Sequence, residues 1–420
     1  MKKNNFSIVN FGCRLNIYEG EVINALAKKN NLENYIIFNS CAVTEEAEKK
    51  LVYEIRKSKK NFANKKIIVT GCAAQINPEK YANLKGINFV IGNNEKLQNE
   101  TWSSLSNNSS INVKNIFENN TISPSIVEKF EGKSRAYIEI QQGCDHRCTF
   151  CIIPFGRGNN RSVPAGEIVN RIKNIVKNGY REVVLTGVDI TDYGKDLTPK
   201  TTFSNLIKRI LKLVPELEQL RLSSIDCAEI DDEFWDVLPD KRLMPHFHIS
   251  LQAGNNLILK RMKRRHSREM AIEFCNKILS IRREATFGAD IIAGFPTETE
   301  EMFKDSIKLI DDCYLTHLHV FPYSQRQNTP AARMPQLDKT IIKSRAKILR
   351  DKGMINLKKH LANKIGKKDL ILVEKNQDNK SLGKDQNFLN VVVDEVVMEG
   401  NIISCIYTGV ENNKLLARKI

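Results

Sequence analysis

No run of about 18 apolar residues occurs in this chain, which excludes a helix that spans a membrane. The opening MKKNNFSIVNFG has two lysines but lacks the apolar core and small-residue cleavage site of a secretory leader. A cytoplasmic protein with no membrane partner is therefore expected. Acidic residues are also in short supply. Against 65 Lys and Arg stand 49 Asp and Glu, a formal net charge of +16 over 420 residues. Such a balance suits a polyanion such as nucleic acid. A composition rich in Lys, Asn and Ile raises the total by itself, so clustering is the better guide. Lys260–Arg268 carries six basic residues and no acid, and between Arg333 and Lys368 lie twelve Lys or Arg against two Asp. Phosphate contacts need charge of one sign gathered in this way.

A further absence concerns cysteine. Cys144, Cys148 and Cys151 form a CxxxCxxC triplet, and no fourth cysteine lies close by. A structural zinc site closes four protein ligands around its metal, whereas three thiolates on a 4Fe–4S cluster leave one iron open. The spacing, with Phe150 just before the last cysteine, resembles the radical S-adenosylmethionine (SAM) enzymes. That resemblance implies that the open iron chelates SAM. The chain has ten cysteines. Cytosolic thiols stay reduced, so metal or cluster ligation is expected of those in motifs and not disulfides. Cys227, Cys275, Cys313 and Cys405 stand singly and read as small buried hydrophobes.

Residues 1–95 repeat an apolar run, a small residue, a cysteine and a helical stretch. The runs are Ser7–Phe11 before Gly12-Cys13, Tyr35–Phe38 before Asn39-Ser40-Cys41, and Ile67–Val69 before Thr70-Gly71-Cys72. Helices are expected to begin near Glu19, Thr44 and Pro78, and a fourth strand at Phe89–Ile91. The pattern predicts a flavodoxin-like α/β domain with a parallel sheet. Loops after parallel strands share one edge, where ligands bind. Cys13, Cys41 and Cys72 can therefore converge there as a second three-cysteine cluster site; three separate buried thiols are the alternative.

Residues 96–130 read as a linker, because Asn99–Ser125 is dense in Asn, Ser and Thr and holds Pro124. Residues 131–365 alternate strands and helices. Tyr137–Ile140 runs into the CxxxCxxC loop, followed by strands at Glu182–Thr186, Gln219–Ser223, His246–Leu251, Phe287–Ile292 and Leu318–Phe321. Helices are expected at Ala165–Asn178, Phe203–Val214, Arg268–Arg282 and Glu298–Cys313. Six βα units predict a partial TIM-type barrel, with the cluster loop at the active end of its strands. A long basic helix, Lys339–Lys364, follows. Residues 366–420 offer five short strands, Leu370–Val373, Phe388–Val393, Val396–Met398, Ile402–Ile406 and Leu415–Arg418. They predict a small OB-like β-barrel of the kind that binds single-stranded nucleic acid.

In this order of parts the chain resembles the radical-SAM methylthiotransferases. Three branches of that family act on threonylcarbamoyladenosine in tRNA, on isopentenyladenosine in tRNA, and on an aspartate of a ribosomal protein. Gly12-Cys13-Arg14-Leu15-Asn16 resembles the threonylcarbamoyladenosine branch; the isopentenyladenosine branch usually reads Gly-Cys-Gln-Met-Asn. Asn39-Ser40-Cys41-Ala42-Val43-Thr44, Leu185-Thr186-Gly187-Val188, Arg221-Leu222-Ser223-Ser224, His246-Phe247-His248-Ile249-Ser250-Leu251-Gln252 and Val320-Phe321-Pro322-Tyr323-Ser324 resemble that branch too. Thr297 stands where the family usually has Gly, Ala253 where Ser is common, and His266, read as an RNA-facing position, where Tyr is usual.

The resemblance implies two 4Fe–4S clusters, on Cys144, Cys148 and Cys151 and on Cys13, Cys41 and Cys72, with SAM as radical source and methyl donor. It implies tRNA as partner, bound in part by a TRAM-like C-terminal domain, and the methylthiolation of adenosine 37 at C2. Gly187, Gln252, Asp290 and Gly294 are the candidate SAM contacts, because they fall at strand ends. Arg157 and Arg161 are candidates for a substrate carboxylate or RNA phosphates, and His146 is expected beside the cluster or exposed. A monomer is expected; the sulfur donor and reductant stay open. A non-catalytic iron–sulfur RNA-binding or redox-sensing protein is the reading of another class.

Overall fold

The computed structural model describes residues 7–105, 110–119, 122, 127 and 129–420. At the N-terminus, five parallel strands lie in sequential order: Ser7–Asn10, Tyr35–Ser40, Lys66–Gly71, Phe89–Ile91 and Ile111–Asn112. The central strands are continuous apolar runs because both faces are covered. Ile36, Phe38, Ile67 and Val69 pack with Leu51, Ile55 and Tyr81. Ile37, Ile68 and Ile91 pack with Ile23, Ala27 and Trp102 on the other face. Thr44 accepts a hydrogen bond from the Ala47 amide at 3.2 Å, and Glu45, Glu46 and Glu48 fill the first turn of the helix Glu45–Asn61. Side-chain cap and acids both suit a helix N-terminus.

One helix begins earlier than the periodicity suggested, and one short helix was not expected. Helix Arg14–Lys29 starts directly after Cys13, whose thiol makes no cap bond. Cys72 is the first residue of a short helix, Cys72–Ile76, that precedes the one at Pro78–Ala82.

The stretch 96–130 is not only a connection. Asn99–Ser103 is helical, Trp102 and Leu105 are buried, and Ile111–Asn112 pairs with Val90 and Ile91 as the edge of the sheet. Asn- and Ser-rich composition hid a two-residue strand. Residues 106–109, 120, 121, 123–126 and 128 lie outside the described residues, Pro124 among them.

Six parallel strands follow: Ala136–Glu139, Glu182–Thr186, a third strand in two pieces, His246–Gln252, Thr286–Ala293 and Leu315–Pro322. The third strand breaks at Ser223; its Gln219–Leu222 half pairs with the second strand and its Ser224–Ile225 half with the fourth. The helices between them use one face. On Phe203–Leu213 the buried Phe203, Leu206, Ile207, Ile210 and Leu211 follow the i, i+3, i+4, i+7, i+8 pattern. Each such side chain contributes roughly 1.5–3 kcal/mol on full burial. Helix Lys339–Ala362 lies along the last strand through Ile342, Ala346 and Leu349.

The C-terminal unit is a closed five-stranded barrel of Lys368–Gln377, Lys380–Asp385, Asn390–Val393, Lys414–Lys419 and Ile402–Glu411. Val396–Met398 is not one of these strands, and Val396 is 59 % exposed. Lys380–Asp385 takes its place, reached through a tight turn in which Asp378 and Asn379 have φ of 51° and 58°. Paired left-handed residues are what two-residue hairpin turns require. This barrel docks on the base of the larger one. Asn387 Nδ2 donates to Glu284 O at 2.9 Å and Pro245 O at 3.3 Å, and Arg221 donates to Gln386 O at 3.1 Å.

Candidate functional site

The first barrel strand delivers the chain through Gln141–Gln142 into the CxxxCxxC loop. Gly143 has φ 72°, and a Cβ there would stand 1.8 Å from Asn159 O, so only glycine fits. The loop is closed by Cys144 N–H to Gly158 O at 3.1 Å and Cys151 N–H to Cys148 O at 3.0 Å. The three thiols meet in one place. Burial pushes the Cys151 thiol up to about 12, with Cys148 adding to the shift, and burial, Asp189 and Cys151 push Cys144 up. A setting that penalises free thiolates suits thiolates neutralised by a metal. Arg264 Nη1 lies 3.7 Å from Cys148 Sγ.

The N-terminal triplet converges as well. Gly12 has φ 89°, and a Cβ there would lie 2.7 Å from both Cβ and Sγ of Cys41; its bare backbone lets the Cys13 loop close on Cys41. Burial pushes Cys41 up to about 12, with further contributions from Cys72 and Cys13. Each triplet offers three thiols, the donor set of a 4Fe–4S cluster with one open iron rather than of a four-ligand structural zinc site.

A buried polar network joins the two triplets. Arg157, 2 % exposed, donates from Nε to Cys72 Sγ at 3.2 Å, from Nη2 to Glu19 Oε2 at 2.9 Å and to Asn16 Oδ1 at 2.5 Å, and from Nη1 to Gln142 Oε1 at 3.0 Å. Lys96, fully buried, pairs with Glu19 at 2.7 Å. Two cations hold Glu19 down to about 2 against its desolvation. Arg157 is thus committed to the protein and does not meet substrate or phosphate. Nor does Arg161, whose guanidinium donates to Asn159 O and Arg157 O at 3.0 Å each. His146 is buried, not exposed. Its Nε2 lies 3.2 Å from carboxylate oxygens of Asp189 and Glu229, and hydrogen bonds to them raise it to about 10.

The four candidate SAM contacts separate. Gln252 ends its strand in a left-handed conformation, φ 69°, half-buried. Gly187 is covered by Gln141, whose Oε1 would be 2.8 Å from a Cβ and accepts the amides of Val188 and Asp189. Gly294 packs against Ile342, and its amide donates to Glu298 Oε2 at 3.1 Å. Asp290 sits inside its strand and not at the end; its Oδ1 is 3.0 Å from His248 Nε2 and 3.3 Å from His319 Nδ1. Asp189, 4.0 Å from Cys144 Sγ, and Arg264 do border the cluster loop, and neither has a local spacing that marks it as a site residue in the sequence.

Most of the basic run Lys260–Arg268 is paired internally. Arg264 bonds Asp226 at 2.7 Å, Arg265 and Arg268 pair with Glu229 and Asp312, and Arg261 donates to Thr297 Oγ1 at 2.8 Å. Only Lys260 and Lys263 of the run are exposed without a carboxylate of their own among the described residues. His266 is also buried and bonds Leu251 O at 3.1 Å, so it faces no RNA. The C-terminal segment differs: Lys343, Lys347, Lys358, Lys359, Lys367 and Lys368 are all exposed.

Residues 138–310 match the Radical SAM superfamily and residues 5–92 match the uncharacterized protein family UPF0004. The chain is 52 % identical over 405 residues to threonylcarbamoyladenosine tRNA methylthiotransferase MtaB of Rickettsia prowazekii (strain Madrid E), covering 96 % of this chain and 95 % of that one. The chain belongs to the radical-SAM methylthiotransferase family. The corresponding MtaB of Bacillus subtilis (strain 168) is 35 % identical over 79 % of this chain and 76 % of that one. In the same family, tRNA-2-methylthio-N(6)-dimethylallyladenosine synthase of Clostridium botulinum (strain Alaska E43 / Type E3) is 30 % identical, over 91 % and 88 %. The fold is shared with the radical SAM methyltransferase TsrM of Kitasatospora setae, with a TM-score of 0.56 at 12 % identity over 78 % of this chain and 75 % of that one. As a radical-SAM methylthiotransferase the chain uses a 4Fe–4S cluster and SAM. Among its described residues, no helix is long and apolar enough to cross a membrane.

Proposed function

We propose that this methylthiotransferase converts N6-threonylcarbamoyladenosine at position 37 of tRNA to its 2-methylthio derivative. The observation that carries the reading is the pairing of two three-cysteine sites through Arg157, in a chain that a relative named for this substrate matches over 96 % of its length. Cys144, Cys148 and Cys151 are the proposed ligands of the radical-generating cluster, and Cys13, Cys41 and Cys72 those of a second cluster. When bound, the clusters and SAM supply the reducing electron, the radical and the methylthio group.

The protein's own residues position and shield. Arg157, Glu19 and Lys96 fix the Cys72 loop against the barrel, so that the two cysteine sites are held in a set relation to each other. Arg264 places a positive charge against Cys148 and is itself aimed by Asp226 and by Ser250 O at 2.8 Å. Gln252 is the remaining candidate for a direct SAM contact. The exposed lysines between 343 and 368, with the C-terminal barrel, are the proposed tRNA surface.

Mass spectrometry of tRNA nucleosides from a strain lacking the gene tests the assignment. Loss of 2-methylthio-threonylcarbamoyladenosine alone is the expected result. Its persistence, with loss of the methylthiolated isopentenyl nucleoside instead, would overturn it.

A further inference from the structure

The base of the barrel gathers more positive charge than its ion pairs consume. Around the ring of Phe388 stand Lys384 Nζ at 4.5 Å from the centroid, Arg221 at 4.9 Å, and Arg14 and Arg135 at 5.3 Å each. The imidazole of His246 stacks on the same ring at 5.5 Å. All three units of the chain contribute. Arg14 opens the helix that follows Cys13, Arg135, Arg221 and His246 come from the barrel, and Lys384 and Phe388 from the C-terminal domain.

Two carboxylates serve this group. Glu182 lies 2.7 Å from Arg135 and 3.0 Å from Arg221, and Glu374 pairs with Arg135. Neither Arg14 nor Lys384 forms an ion pair among the described residues. An aromatic face attracts cations but does not neutralise them, and an unpaired buried charge is costly. Burial, with Arg135 and Arg221 nearby, draws Lys384 down to about 8.

A second observation points to a ligand. Arg135 and His246 are 6 % and 3 % exposed, yet Arg135 Nη2 and His246 Nε2 are buried with no hydrogen-bond partner. Buried polar atoms in native proteins are nearly always satisfied. Phe388 itself holds φ 66°, a conformation rare for an aromatic residue. Arg14, Lys384 and Phe388 are only partly buried.

We propose that this floor is an anion site that receives the carboxylate of the threonylcarbamoyl group, with Arg14 and Lys384 as its charge-bearing partners. The inference rests on the substrate reading above. A base that offers its C2 to the cysteine-bearing strand ends carries its N6 substituent on a different edge of the ring, and Arg14 follows Cys13 directly in the chain. An isopentenyl group has no charge to offer and would leave the cations unpaired. A site built around a polar partner rejects analogues that lack it.

The test uses the reconstituted full chain and three anticodon stem-loops, bearing threonylcarbamoyladenosine, its carboxamide, or isopentenyladenosine. The wild-type protein is expected to methylthiolate the free acid with a KM at least about tenfold below that of the carboxamide, the value of a charge-assisted hydrogen bond. Arg14→Gln and Lys384→Gln should each raise KM for the acid by about tenfold and leave that for the carboxamide within about twofold. Arg14→Lys should restore much of the loss. Equal wild-type KM for acid and carboxamide, or variants that weaken both alike, would overturn the anion site while leaving the substrate assignment standing. Turnover of the isopentenyl stem-loop alone would overturn both. The acid–carboxamide comparison needs no variant, so a misfolded substitution does not blunt the test.

Discussion

Arg157 Nε stands 3.2 Å from Cys72 Sγ, so the loop that carries Cys144, Cys148 and Cys151 is tied to the third cysteine of the N-terminal domain. The tie is stiffened by Glu19, which Arg157 and Lys96 clamp from two sides inside the protein. Two sites that lie far apart in sequence are thereby held as one.

Breaking this clamp should be costly. Arg157→Ala leaves Glu19 with one cation and Cys72 with no donor from the barrel. Removing one partner of a buried pair typically costs 3–5 kcal/mol, so a loss of roughly that size is expected. Urea denaturation of the full chain measures it. A change below about 1 kcal/mol, the range of exposed pairs, would show that the clamp is not the joint between the domains.

The two triplets should be separable. Cys148→Ser is expected to keep about four irons per chain after reconstitution and to release no 5′-deoxyadenosine from SAM. Cys72→Ser should also keep about four irons, release 5′-deoxyadenosine, and form no methylthio product. Iron analysis and nucleoside chromatography read both. Loss of SAM cleavage in Cys72→Ser with its remaining iron intact would contradict the division of labour.

Much of this architecture was legible in the chain. The barrel strands declare themselves because each apolar run is flanked by polar turns and an amphipathic helix; Glu182–Thr186 falls where the pattern puts it. The cysteine positions followed from topology alone. The strand Lys380–Asp385 was not legible, since KSLGKD reads as a polar turn and only barrel closure buries Ser381, Gly383 and Asp385. The roles of Arg157 and of the run 260–268 were hidden for a related reason. Their partners, Glu19, Asp226, Glu229 and Asp312, lie at long range, so a buried pairing residue looked like a free cation.

Thr297 occupies φ 69°, where the family usually places glycine. A left-handed residue with a Cβ costs roughly 1–2 kcal/mol, and a β-branched one is a clear outlier. Arg261 offsets part of this by donating to Thr297 Oγ1 at 2.8 Å and Thr297 O at 3.2 Å. Thr297→Gly should therefore stabilise the protein by up to about 1 kcal/mol. Arg261→Ala should cost less in the Thr297→Gly background than in the wild type. A double-mutant cycle by thermal unfolding checks both, and additive effects would count against the compensation.

Glu139 should make stability depend on pH. Burial, followed by the charge of Glu19, pushes its carboxyl up to about 7. The folded protein then keeps a proton that the unfolded chain releases above about pH 4.3. This contribution is complete below the unfolded value and is lost as pH rises through 7. The penalty for ionising Glu139 reaches roughly 3 kcal/mol by pH 8. Glu139→Gln should leave stability near pH 5 little changed and flatten its decline towards pH 8. Parallel pH profiles of wild type and variant would refute the assignment.

One reaction tests the central claim most directly. Anaerobically reconstituted protein is incubated with SAM, a reductant, a sulfide source and tRNA that carries threonylcarbamoyladenosine without the methylthio group, and the digested nucleosides are weighed by mass spectrometry. The account predicts 2-methylthio-threonylcarbamoyladenosine together with 5′-deoxyadenosine. A protein with both clusters filled that cleaves SAM yet leaves this nucleoside unmodified would contradict it.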